Sequence, residues 1–105
     1  MQYVWVALIR ARAMKKHRRI GIAGAYTNAL AAGRFRRQAL DVRAKELKRL
    51  GFIAREADGI EKFAARKRRR DASKTLQRLA REVARTQQCR FDELYTWPLD
   101  APEEE

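Results

Sequence analysis

The stretch TNALAAGRFRRQALDVRAKELKRLGFI, Thr27 to Ile53, decides how the chain is read. Within it Leu40, Ala44 and Leu47 recur at i, i+4 and i+7, the spacing that aligns side chains on one face of an α-helix. Gly51 then supplies a stop, because helices commonly close on a left-handed residue, a conformation glycine adopts without strain. The spacing predicts a helix from Gln38 to Leu50. At about 100° per residue, Gln38, Val42, Lys45 and Arg49 fall opposite the stripe and are expected to point outward. Upstream, Thr27 or Asn28 suits the cap of a short helix through Ala32 that stops at Gly33.

Working outward, Phe52 to Lys62 admits two readings. Asp58-Gly59 can turn a hairpin between FIAREA and IEKFAA. Alternatively, Asp58 caps a helix with Glu61 three residues on, an arrangement that the Glu, Lys and Ala content favours by propensity. No Gly or Pro interrupts Ile60 to Pro98, and Ala72, Leu76, Leu79, Ala80, Val83 and Gln87 form a second stripe. That stripe predicts a helix from about Ser73 to Gln88. At the other end, Gln2 to Met14 alternates at Val4, Val6 and Leu8 like a strand, but its length and its Ala and Arg content favour a helix. The expected architecture is mainly α, with three to four helices, a long C-terminal basic helix and, on the hairpin reading, a small β wing.

Charge is distributed as unevenly as hydropathy. The chain has 105 residues and a formal net charge of +12, from 25 Lys and Arg against 13 Asp and Glu. Residues 1–40 contain no acid, and residues 91–105 contain no base. The division expected is a basic domain over 1–90 and an acidic aromatic tail over 91–105. A body this basic repels itself unless a polyanion neutralises it, and nucleic acid is the commonest such partner. The run Arg66, Lys67, Arg68, Arg69 and Arg70 and the ladder Lys74, Arg78, Arg81 and Arg85 are the strongest candidates for holding phosphate, since the planar guanidinium fork binds two oxygens at once. In the tail, Leu94, Tyr95 and Trp97 among carboxylates can hook a partner or cover the basic face.

The segment Thr27 to Ile53 resembles the helix-turn-helix core of winged-helix DNA-binding proteins. Leu40, Ala44, Leu47, Gly51, Phe52 and Ile53 stand where that family places its buried helix positions and the start of its wing. The resemblance implies a helix-turn-helix-like core in which Gln38, Val42, Lys45 and Arg49 face the major groove. It also implies that Arg34, Arg36 and Arg37 meet phosphates or the first bases.

Other classes find little support. His17 sits among Lys15, Lys16, Arg18 and Arg19, with no carboxylate nearby in sequence to orient it, and GIAGAYTNALAAG lacks the spacing of a nucleotide-binding glycine loop. One Cys and one His are too few for a zinc site. No catalytic residue, metal or cofactor is expected, and no uncharged run reaches the roughly 20 residues of a membrane helix. Met1 to Arg19 has the acid-free, Arg-rich composition of a transit peptide or a membrane-surface segment. The reading favoured is a DNA-binding regulator or accessory factor, with DNA preferred over RNA, acting as a homodimer or beside neighbouring subunits in the cytoplasm, nucleoid or mitochondrion. The alternative is a structural RNA- or protein-binding subunit of a large assembly such as a ribonucleoprotein.

Overall fold

The computed structural model describes residues 2–99. Along the chain run β1 (Tyr3–Ala13), α1 (Lys15–Arg18), β2 (Ile22–Gly33), α2 (Arg36–Leu50), β3 (Phe52–Lys62), α3 (Phe63–Arg68), α4 (Lys74–Thr86), β4 (Arg90–Phe91) and β5 (Tyr95–Pro98). The strands form one antiparallel sheet in the order β3-β1-β2-β4, with β5 also paired to β2. The fold is therefore mixed α/β, and the mainly α expectation is overturned. Gln2 to Met14 and Thr27 to Ala32, both read as helical, are the two central strands, paired from Tyr3 opposite Gly33 to Arg12 opposite Gly24. With Thr27 to Ala32 extended, no helix precedes α2 across a turn, so the helix-turn-helix-like core does not form.

The physical reason is that one half of this strand pair, around Val6 and Leu30, is buried on both faces, and the other half on the α2 face alone. At the odd positions Trp5, Ala7, Ile9, Ala11 and Ala13 of β1 pack with Ala25, Ala29 and Ala31 of β2 beneath α2. At the even positions Val6, Leu30 and Ala32 pack against Phe63, Leu76, Leu79, Ala80 and Val83 of α3 and α4. Successive side chains of a strand point to opposite faces, so α2 lies on one side of the sheet and α3 with α4 on the other. A strand buried on both sides reads as a continuous apolar run, and its alanines let α2 approach closely while mimicking helix propensity.

Phe52 to Lys62 is neither a hairpin nor a helix but a single edge strand. Its register against β1 shifts between Val6 and Leu8 and again between Arg10 and Ala11. Each shift leaves one extra residue on β3, and Gly59, at φ +61°, takes the left-handed conformation in the first. Thus Asp58-Gly59 makes a bulge rather than a turn, and no wing is built. The C-terminal helix expected from about Ser73 to Gln88 is α4, and the basic run Arg66 to Arg70 belongs not to its start but to α3 and the turn after it. α3 ends at Arg68, and α4 begins after Ser73, whose hydroxyl accepts from Leu76 N at 3.1 Å. The expected tail begins inside the sheet: β4 and β5 both pair with β2, and buried Thr27 donates to the Asp92 carbonyl at 3.1 Å.

Candidate nucleic-acid interface

α2 is capped at both ends by what the sequence supplies locally. Gly51 closes it at φ +99°, and the Gln38 side-chain Oε1 accepts from Arg34 N–H at 2.8 Å. That second bond acts like the side-chain half of a capping box, so Gln38 serves the helix start. The centre of the buried stripe is Ala39, Arg43 and Leu47 rather than Leu40, Ala44 and Leu47. The rotation is small, but it carries Val42 into half-buried contact with the Trp5, Ala31 and Ala39 cluster and off the outer face. Arg34, Arg36, Arg37, Lys45 and Arg49 remain exposed, and Arg49 pairs with Glu46. The α1 turn joins this side: His17 Nε2–H donates to the Leu50 carbonyl at 2.8 Å and the ring stacks on Phe52 at 4.4 Å. Lys15, Lys16 and Lys48 thereby line one shallow cleft with Met14 and Gly51 at the C-terminal end of α2, where the helix dipole favours positive charge.

On the opposite side of the sheet, Lys74, Arg78, Arg81 and Arg85 all lie exposed along α4, spanning about 17 Å at the helical rise per residue. Arg78 pairs with Glu82 at 3.1 Å. The basic run before α4 is split in role. Arg66 and Arg69 both grip Glu61, Arg66 Nε at 3.1 Å and the Arg69 fork at 2.5 and 2.8 Å, whereas Lys67, Arg68 and Arg70 are exposed. Among the described residues, no carboxylate lies within ion-pair distance of Lys67, Arg68, Arg70, Lys74, Arg81 or Arg85.

The Glu61 clamp ties the end of β3 to α3 and makes stability depend on acid. Hydrogen bonds from Arg69 and then Arg66, against an opposing desolvation, hold the Glu61 carboxyl down to about 2 from its ordinary 4.5. A depressed carboxylate stabilises the fold above its unfolded pKa and loses that contribution as pH falls toward the folded value. Glu61→Gln is therefore expected to flatten the loss of thermal stability between pH 4.5 and 2, while leaving the shape of the curve above pH 5 unchanged. Parallel acid limbs in thermal melts of the two proteins would contradict the clamp.

The α2 face and the Arg ladder, both expected to contact nucleic acid, lie on opposite sides of the sheet. Helix and sheet layers stack at roughly 10 Å spacing, so a phosphate held by the ladder is out of reach of the outer face of α2. Two basic faces point in opposite directions.

Two further groups were hidden from sequence. Arg43 is 0% exposed; its Nε donates to the Ala29 carbonyl at 3.0 Å, while Nη1 and Nη2 find no hydrogen-bond partner among the described residues. Burial lowers its pKa to about 10, partly offset by nearby Cys89, and burial pushes the Cys89 thiol up to about 12. At neutral pH this pair is a cation and an un-ionised thiol, with no activated nucleophile.

The second group is a cluster of rings. Tyr95 and Trp97, expected on a tail, sit on β5, and Leu94 lies exposed just before it. Tyr95 stacks on Tyr26 at 5.2 Å between centroids, and the Arg10 guanidinium lies over the Trp97 indole at 5.3 Å. The signal that could have found this cluster was Tyr26, the one large ring in the run IAGAYTNALAAG, once that run is read as a strand beside Arg10 and Arg12. The acids at 100–105, the remainder of the expected tail, lie outside the described residues. Among the described residues no helix is long and apolar enough to cross a membrane. None of the family models, curated proteins or solved structures to which the chain was compared matches it.

Proposed function

We propose that the protein binds nucleic acid by gripping phosphates with the α3–α4 face. The observation that carries this reading is the set of six exposed cations, Lys67, Arg68, Arg70, Lys74, Arg81 and Arg85, none with a carboxylate in reach among the described residues. Such a set raises local potential and leaves a counterion atmosphere for a polyanion to displace. The test is fluorescence anisotropy with a labelled 20-base-pair duplex between 50 and 200 mM salt. Neutralising six phosphates gives a log–log slope of about −5; an affinity indifferent to salt would sink the proposal.

A second reading, an architectural subunit embedded in a ribonucleoprotein, draws on the opposed basic faces, since a permanent part is contacted from more than one side. Acylation of lysines separates the two. A factor held by one face protects Lys67 and Lys74 and leaves Lys45 and Lys48 reactive, whereas an embedded subunit has all four protected.

A further inference from the structure

α4 covers only half of its side of the sheet. Val6, Leu30 and Ala32 lie beneath it, but the same face continues through Leu8, Arg10 and Arg12 of β1 and Tyr26 of β2, all exposed. β5 extends this bare half. Trp97 lies opposite Gly24 and Tyr95 opposite Tyr26, and partners in an antiparallel pair share a face. The indole is seated directly on the backbone: a Cβ added at Gly24 would fall 2.3 Å from Trp97 Cζ2. Around it, Tyr26 and Trp97 stack at 6.4 Å with planes 25° apart, and Tyr26 and Tyr95 remain 44% and 50% exposed.

We infer that this half-sheet is a stacking platform for the unpaired bases of a single nucleic-acid strand; the inference rests on the phosphate-binding reading above and names its substrate class. Rings that lie close to parallel and are set side by side by the β2–β5 pairing, with Tyr26 and Tyr95 exposed and Trp97 half-buried, offer π-faces that any base can stack on. The guanidinium over Trp97 adds a second planar surface and a positive charge.

Charge argues for bases rather than for a duplex backbone. Glu56 faces Arg10 in register and Asp58 faces Leu8, so this patch is not a plain cationic strip, and its attraction comes from the rings. The phosphates of the same strand meet α4, which stands on the same side of the sheet. A second copy of the chain is a poorer occupant, because two molecules of net charge +12 repel.

The probe is Trp97 itself. Trp5, the other indole, is buried and donates to the Gly33 carbonyl, so quenching by added strand reports the platform. Titration with a 12-residue oligothymidylate is expected to quench the fluorescence, and the quenching is expected to vanish in Trp97→Phe. An abasic 12-mer of equal charge is expected to bind more weakly and to quench little. Tyr26→Leu and Tyr95→Leu keep apolar bulk, and each is expected to weaken oligothymidylate binding roughly tenfold while changing duplex affinity less than about twofold; circular dichroism checks that both remain folded. If the abasic strand binds as tightly as oligothymidylate and the tyrosine variants change nothing, the platform is overturned and phosphate binding stands. Salt-insensitive binding, or none, to either strand removes both. A concentration-dependent dimer broken by Tyr26→Leu, without quenching, gives the face to a second copy and also overturns the inference.

Discussion

Gly24→Ala is expected to cost about 2–3 kcal/mol of stability, at the upper end of what overpacking costs a well-filled interior. The added methyl would meet two obstacles at once. One is the Trp97 ring at 2.3 Å, and the other is the Ala11 carbonyl oxygen at 2.6 Å. The ring belongs to a short edge strand and can be displaced, but the carbonyl belongs to β1, whose pairing with β2 is the centre of the sheet. The two contributions separate in a double-mutant cycle. In a Trp97→Ala background the ring obstacle is gone, so the remaining cost of Gly24→Ala is that of the backbone contact. Urea unfolding of the four proteins measures this, and the tryptophan emission of Gly24→Ala is expected to shift to the red as β5 is pushed off. A Gly24→Ala protein as stable as the parent, with unshifted emission, would show that Trp97 does not sit on Gly24.

The second large effect is electrostatic. Arg81→Glu combined with Arg85→Glu is expected to lower duplex affinity roughly a hundredfold at 0.1 M salt and to reduce the steepness of the salt dependence by about two. Each lost phosphate contact leaves close to one counterion unreleased, and each new carboxylate adds repulsion. Both side chains are exposed on α4, away from its buried Leu76, Leu79, Ala80 and Val83, so the fold is expected to be retained. Lys45→Glu with Lys48→Glu on α2 is the matched control. The assignment of the contact to α3 and α4 fails if this control loses more affinity than the ladder variant.

Helices α2 and α4 were legible because their signals are local. Gly51 and Ser73 are caps, and the apolar spacing repeats over three to four turns. Even so, the face of α2 was read slightly rotated, because the centre of its buried stripe is Arg43, and no periodicity argument places a buried guanidinium there. The central strands were not legible. YVWVALI is apolar at every position, and IAGAYTNALAAG is built from small residues whose propensity is set aside by packing under α2. β3 conceals its alternation behind two bulges, so Asp58-Gly59 offered a turn or a cap and served as neither. Of the interface, the charges could be counted from sequence, but their division between two sides of a sheet depends on which strands pair. The rings of the platform, nearly 70 residues apart in the chain, meet only through the β2–β5 register.

The bulged edge of β3 has a consequence for crowding. A protein recruited in many copies along one polymer is held at high local concentration, the condition under which open sheet edges join end to end into fibres. β3 is the long margin of this sheet, unpaired on its outer side among the described residues, yet Arg55, Glu56, Asp58, Glu61 and Lys62 and its two register breaks spoil it as a template. If the chain binds nucleic acid as proposed, neighbouring copies can therefore be packed densely on a shared strand while remaining individually removable, and occupancy is expected to follow salt and strand length rather than irreversible growth.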